Sequence, residues 1–202
     1  MSWIQTYTGK RFDVLKPRTD DVDITDIAHA LSMQCRFNGH IKRFYSVAEH
    51  SVLVSRIVED NYATAARGRY PYDREARHRA NACLTALLHD ASEAYLGDVV
   101  KPVKMLPQLE AFCLIDDDVQ TIIEGAFVDK VPDWVRDLIK QADHQMLGSE
   151  AEWLLLDGPR SDWGAPSPDP RFMPQLTTKC PPEEAERMFT ARFESLAKEA
   201  AW

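Results

Sequence analysis

The sequence lacks the features of several classes of protein. No apolar stretch approaches the ~20 residues that a membrane-spanning helix requires. Acidic residues outnumber basic ones by 32 to 24, which argues against a protein that coats nucleic acid. The four cysteines form no CxxC pair, and Met1–Ile4 continues into polar residues instead of an apolar leader. We therefore expect a cytoplasmic protein with free thiols that engages neither a membrane nor a nucleic-acid polymer.

Length and patterning predict one all-α domain over residues 1–202. The chain is 45% hydrophobic, enough for a compact core, and contains no internal repeat or low-complexity block. Residues 1–23 contain a short β-hairpin pattern around Gly9 and a lead-in rich in Asp and Pro. Residues 158–182 are rich in proline, and we expect them to form an extended surface loop.

Apolar residues recur at helical spacing between these two regions and after the second. One predicted helix begins at Ser46, because Ser46-Val47-Ala48-Glu49 has the spacing of a capping box. The charged segment 61–79, with a glycine and a proline, is expected to be a surface connection. The other predicted helices cover residues 24–31, 79–96, 109–127, 132–156 and 183–199.

His89-Asp90 is the sharpest chemical pattern, because it interrupts the otherwise small and apolar run Cys83–Leu96. On a continuous helix, adjacent side chains point about 100° apart, so both reach one ion only if it lies between them. Glu93 follows Asp90 by three positions and would share its face. The dipeptide alone is weak evidence for a site, since His-Asp pairs are common.

Two further polar residues lie on predicted apolar faces. His50 lies between Val47 and Val54 at helical spacing, and Asp143 aligns with Ile139 and Met146. Burying such groups without partners costs several kcal/mol. A divalent ion would satisfy two imidazoles and two carboxylates together, and a mixed nitrogen and oxygen set suits Mn, Co, Fe or Zn better than Ca.

The order His, His-Asp, Asp resembles the signature of HD-domain phosphohydrolases. The neighbourhoods look like those of the 5'-deoxynucleotidases and the related small viral and bacterial nucleotide hydrolases, from about residue 26 to the final helix. The stretches that carry the resemblance are Arg36–Ser51 (RFNGHIKRFYSVAEHS), Leu87–Lys104 (LLHDASEAYLGDVVKPVK) and Ile139–Glu150 (IKQADHQMLGSE).

The resemblance implies a single helical HD domain and a role for each matching residue. The implied metal ligands are His50, His89, Asp90 and Asp143, holding a divalent ion that is Co, Mn, Mg or Zn.

Beside the metal, the resemblance implies that Glu93 orients or deprotonates the attacking water and that Asp98 acts near the sugar and the water. Arg36 and Lys104 match the cations that contact phosphate. Phe37 stands where close relatives often have a Trp beside the sugar or base.

The expected function is removal of phosphate from (deoxy)nucleoside 5'-monophosphates by attack of metal-bound water. The resemblance also implies a homo-oligomer. Two alternatives remain: a deoxynucleoside triphosphate hydrolase, acting for example on dATP, and a non-catalytic, metal-stabilised module that binds a nucleotide or a protein. A diesterase is less favoured, since the short chain leaves little room for the extra elements of such enzymes.

Overall fold

A computed structural model describes residues 3–68, 75–157 and 163–200 of the chain. Within these ranges the protein is all-α, with a two-stranded antiparallel sheet at its N-terminal end, as the sequence predicts. The strands are β1 (Trp3–Gln5) and β2 (Arg11–Asp13). The helices are α1 (Ile24–Met33), α2 (Val47–Ala65), α3 (Glu75–Leu87), α4 (Glu93–Leu96), α5 (Lys101–Lys104), α6 (Glu110–Phe127), α7 (Asp133–Trp153), α8 (Met173–Thr177) and α9 (Pro182–Ala200).

The hairpin is fixed to the helices by one aromatic residue. Gly9 has φ of 86°, a left-handed conformation that glycine adopts without strain, and it allows the chain to reverse between β1 and β2. Phe12, paired with Ile4 across the strands, is fully buried and stacks on Tyr95 with ring centroids 3.8 Å apart. Since two strands alone are marginally stable in water, this contact holds the hairpin in place.

Helix α2 lies at the centre of the molecule and packs against α1, α3, α7 and α9. Its apolar residues therefore face several neighbours, and Leu53, Val54 and Ile57 are all fully buried. A polar residue in the first half of this helix has no route to solvent. That is the position of His50, whose exposed fraction is 0%.

The start of α2 differs in one respect from the predicted capping box. The Ser46 hydroxyl accepts a hydrogen bond from the Glu49 amide at 3.1 Å, as predicted. The Glu49 carboxylate, however, accepts two hydrogen bonds from the Arg43 guanidinium, at 2.7 and 3.0 Å. A charged donor binds a buried carboxylate more strongly than a backbone amide does, which accounts for the difference.

Two predicted helix boundaries were wrong. Helix α2 continues to Ala65, so the first part of segment 61–79 is helical, while 69–74 lie outside the described residues. The helix predicted over 79–96 ends at Leu87, and residues 88–92 form a turn before α4. The run stays apolar across this break because the turn is itself packed in the core, so hydrophobic spacing does not reveal it.

The extended loop expected at 158–182 is partly helical. Beyond 158–162, which lie outside the described residues, the segment contains a 3-10 turn at Pro170–Phe172 and helix α8. Proline is accepted in the first turn of a helix, which explains why the proline-rich composition misled the prediction. Phe172 and Leu176 are buried, and the Arg43 guanidinium donates to the carbonyl of Leu176 at 2.8 Å.

The predictions on cysteines and on the membrane can also be compared with the structure. All four cysteines are free thiols. Among the helices of the described ranges, none combines the length and apolarity that crossing a bilayer requires.

Replacing Arg43 with Met should destabilise the fold strongly, because it strands the nearly buried Glu49 carboxylate without its partner. We expect a loss of about 3 kcal/mol in the free energy of unfolding, measured with urea. The double variant with Glu49→Gln should recover part of that loss. Arg187→Met is the matched control, since the Arg187–Glu184 pair is exposed and should contribute little to stability. Equal losses in both arginine variants would contradict this account.

Candidate metal centre

Three separate elements bring the candidate metal ligands together. His50 comes from the first turns of α2, His89 and Asp90 from the 88–92 turn, and Asp143 from the middle of α7. One ligand atom from each of His50, His89 and Asp143 lies within 4.8 Å of the others. These three residues therefore form a group that can hold a metal ion.

Asp90 borders this group. Its Oδ2 atom lies 3.2 Å from Nε2 of His89 and 3.7 Å from Nε2 of His50, and 3.4 Å from Nη1 of Arg36. Burial opposes ionisation of this carboxyl, but the neighbouring positive charges, His89 first, hold its pKa well below the usual value. Burial opposes ionisation of Asp143 too, but its close contact with His50, 3.2 Å from Nε2, lowers its pKa to about 2.

The tautomers of both histidines follow from their Nδ1 contacts. His89 Nδ1 lies 2.8 Å from the carbonyl oxygen of Ala86, which can only accept, so this nitrogen carries a hydrogen. His50 Nδ1 lies 2.6 Å from Oε1 of Glu150, a carboxylate that also accepts. In the neutral imidazoles, Nε2 is therefore the nitrogen with the free lone pair, and in both rings it faces the cluster of carboxylates.

A cation fits the chemistry of this cluster. Within the described part of the chain, Nε2 of His50 and Nε2 of His89 are buried without a hydrogen-bond partner. A lone pair beside a carboxylate oxygen is repelled unless a proton or a metal ion lies between them. Without metal, a proton on Nε2 removes this repulsion. Burial lowers the pKa of His89, but the charge of Asp90 raises it by more, so that the pKa is about 9.

Glu93 and Lys104 lie beside the metal group. The Glu93 side chain is nearly buried, and burial, followed by the charges of Asp90 and Asp98, raises its pKa to about 9. Its Oε1 atom lies 3.5 Å from Nζ of Lys104, and its Oε2 atom is buried with no hydrogen-bond partner in the described residues. Glu93 therefore keeps its proton to a much higher pH than a solvated glutamic acid does, and strongly shifted carboxyl groups of this kind concentrate at functional sites.

Asp98 is joined to Glu93 through a residue that the sequence analysis did not identify. Gln34 donates from Nε2 to the backbone carbonyl of Glu93 at 2.8 Å, and its Oε1 accepts from the backbone amide of Asp98 at 3.0 Å. Burial raises the pKa of Asp98 as well. Gln34 thus links the backbone of Glu93 to the backbone of Asp98.

Arg36 connects Phe37 to the cluster. The Arg36 guanidinium lies 3.4 Å from both Asp90 and Glu150, and 5.7 Å from the centre of the Phe37 ring. Phe37 has φ of 56°, a left-handed conformation that is costly for an aromatic residue and that recurs at functional sites. Among the predicted residues, all nine lie in this one region, with Phe37 connected to it through Arg36.

Glu150 is the main residue that sequence reasoning missed. It is fully buried on α7, accepts from His50 and pairs with Arg36. Such a carboxylate behind a histidine fixes the ring orientation and strengthens the nitrogen as a ligand. The spacing in the sequence could have identified it, since Glu150 follows Asp143 by seven positions, which is two helical turns on the same face.

Comparisons with known proteins place the chain in a family. No family model matches the sequence. The uncharacterized protein YfdR of Escherichia coli (strain K12) is 33% identical over 198 residues, covering 98% of this chain and 97% of YfdR. The uncharacterized protein RCAP_rcc00048 of Rhodobacter capsulatus is 34% identical over 203 residues, covering 98% and 96%.

Fold and site define an all-helical protein with a His/His/Asp group that can hold a metal. The chain belongs to the family of YfdR and RCAP_rcc00048, with which it aligns over nearly its whole length.

The pKa values of His89 and Glu93 predict that the stability of the metal-free protein falls, and its affinity for metal rises, over the same pH interval. In a chelator, the folded protein keeps protons on both groups that the unfolded chain releases above their ordinary pKa values of 6.5 and 4.5. The free energy of unfolding should therefore fall as the pH rises from ~6.5 toward ~9. Metal affinity should rise over the same interval, because the ion displaces those protons.

Urea unfolding in a chelator and calorimetric titration with Mn²⁺ measure the two trends. His89→Gln should reduce the pH dependence of the free energy of unfolding, leaving the part due to Glu93. The control His144→Gln, at an exposed neighbour of Asp143, should leave that pH dependence as in wild type. The same slope in wild type and His89→Gln would sink the assignment of this proton to His89.

Glu150→Gln should weaken Mn²⁺ binding by about tenfold or more, because His50 loses the charge behind its Nδ1–H group. Binding is measured by calorimetry near neutral pH. Asp137→Asn, at an exposed position of the same helix, controls for the loss of one negative charge. An affinity that falls equally in both variants would indicate a general charge effect instead.

Proposed function

We propose that the protein is a metal-dependent phosphohydrolase of the HD type, which removes phosphate from (deoxy)nucleoside 5'-monophosphates. One observation carries the proposal: a metal-compatible group, His50, His89 and Asp143, adjoins a nearly buried Glu93 that contacts Lys104 at 3.5 Å. A site that only stabilised the fold would need neither the proton-exchanging carboxyl group nor the adjacent cation. This favours catalysis over the non-catalytic module.

His50, His89 and Asp143 would hold the ion, with Asp90 completing the set from its contact with both imidazole Nε2 atoms. When bound, a divalent ion acts as a Lewis acid on a phosphoryl oxygen and brings the pKa of a coordinated water toward neutrality. Because Asp143 is the most exposed of these side chains, at 47%, the substrate approaches from its side.

Glu93 is the group that moves protons. A carboxylate with a raised pKa is a stronger base once it is ionised, so Glu93, deprotonated under the influence of a nearby cation, would take a proton from the attacking water and return it to the leaving oxygen. Asp98, fixed relative to it by Gln34, contributes to the raised pKa and borders the same space. A positive ion nearby lowers the pKa of Glu93 and so favours its form as a base.

Lys104 and Arg36 are the cations available to a phosphate group. Each is already held by acids, Lys104 by Glu93 and Asp116 and Arg36 by Asp90 and Glu150, so neither has to be ordered when substrate arrives. Fixed positive charge at the equatorial oxygens stabilises the transition state of phosphoryl transfer. Lys104 is the more exposed of the two and the better placed for direct contact.

Product analysis across common nucleotides tests this function. The purified protein, loaded separately with Mn²⁺, Co²⁺, Mg²⁺ and Zn²⁺, should release inorganic phosphate from nucleoside 5'-monophosphates. Chelation should abolish release. Triphosphate released from dATP, with no phosphate from any monophosphate, would replace the proposal with triphosphate hydrolysis.

Glu93→Gln separates catalysis from metal binding in the same assay. We expect kcat to fall by about 10²- to 10⁴-fold, because the amide cannot exchange the proton, while Mn²⁺ still binds. Glu110→Gln, at an exposed position at the start of α6, is the control and should keep full activity. Full turnover in Glu93→Gln would refute the assigned role.

A further inference from the structure

The 88–92 turn, which carries His89 and Asp90, leaves backbone groups that helical hydrogen bonds do not satisfy. Its internal bonds are of the short i to i+3 kind, such as the Ala91 amide to the Leu88 carbonyl at 3.0 Å. The Ser92 amide lies at the far end of the turn, where the helical ladder is interrupted. A turn of this kind holds its side-chain directions only if its two ends are fixed.

Gln120 of α6 binds both ends. Its Nε2 donates to the Leu88 carbonyl at 2.7 Å, and its Oε1 accepts from the Ser92 amide at 3.1 Å. Because a carbonyl only accepts and an amide N–H only donates, this pairing also fixes the orientation of the glutamine amide. One side chain thus spans the residues on either side of the candidate ligands.

Asp116, one helical turn earlier on α6, supports the same arrangement. It accepts from the Ser92 hydroxyl at 2.5 Å and from Nζ of Lys104 at 3.1 Å. Glu124, one turn after Gln120, accepts a third bond from the Gln120 amide at 3.2 Å and pairs with Arg136 of α7. Asp116, Gln120 and Glu124, at every fourth residue of α6, therefore form a polar row on the side of the helix that contacts the 88–92 turn.

We propose that Gln120 is a positioning residue, which fixes the 88–92 turn so that His89 and Asp90 meet the metal at the correct geometry. The proposal rests on the metal-dependent function proposed above. Its physical basis is that ligand directions follow the backbone of the turn, and sites held loosely by about 1 Å lose much of their affinity and activity. Asp116 reinforces the position through Ser92.

Two variants test this role. Gln120→Glu keeps an acceptor for the Ser92 amide but turns a carboxylate toward the Leu88 carbonyl, and Gln120→Met removes both hydrogen bonds. We expect Co²⁺ to bind about tenfold more weakly or worse, with an altered visible absorption spectrum, and Gln120→Met to show the larger effect. Gln108→Met, at an exposed position before α6, is the control and should match wild type.

A second measurement needs no metal. Hydrogen exchange at the Ser92 amide in the chelated protein should accelerate in Gln120→Met, while amides at the centre of α2 keep their protection. Accelerated exchange together with an unchanged Co²⁺ spectrum and affinity would reduce Gln120 to a structural residue and overturn the proposal. Failure of wild type to hydrolyse any nucleotide would overturn the proposed function only, since the spectrum and affinity still report on the turn.

Discussion

The site depends on one constraint: hydrogen-bond acceptors from two histidines and two aspartates converge, and none of them supplies a donor to the others. Both imidazoles use their Nδ1–H groups on other partners, so His50 and His89 present lone pairs toward Asp90 and Asp143. Burial strengthens the resulting repulsion, because little water screens it. Only positive charge, a proton or a metal ion, resolves it. The negative potential of the carboxylates raises the pKa of His89, and the same potential gives the cluster its capacity for a metal ion.

The fold maintains this arrangement by fixing its elements before any ligand binds. Residues 47–55 of helix α2 are all buried, so His50 is packed on every side, and the Arg43–Glu49 pair fixes the start of that helix. Helix α7 supplies Asp143 and, two turns later, Glu150, which binds His50 from behind. A cluster that repels itself persists only where the surrounding packing leaves it no room to relax.

The limits of sequence reasoning here have physical causes. His50 and Asp143 were identifiable because each interrupts an apolar helical face, a pattern that needs no knowledge of distant contacts. The break in the helix at 88–92 could not be identified from the sequence, because a buried turn and a buried helix have the same composition.

Residues that act through partners far along the chain were also missed. Glu150 acts on His50, 100 positions away, and Gln34 ties Glu93 to Asp98 across some sixty. Such pairings leave no local pattern. The resemblance to HD phosphohydrolases supplied roles for Glu93, Asp98 and the cations, whereas only the structure revealed what holds these groups in position.

Charge balance sets the order in which the site can be filled. Asp90, Asp143, Glu93 and Glu150 surround the space that two cations, Arg36 and Lys104, share with the imidazoles. Each cation is already paired with acids, so little positive potential remains for a phosphate dianion. A divalent ion reverses this balance by displacing protons from the imidazoles and adding charge among the carboxylates. On the phosphohydrolase function proposed above, a phosphate group would therefore bind after the metal, since the acids that repel it in the metal-free protein are the ones that would hold the attracting ion.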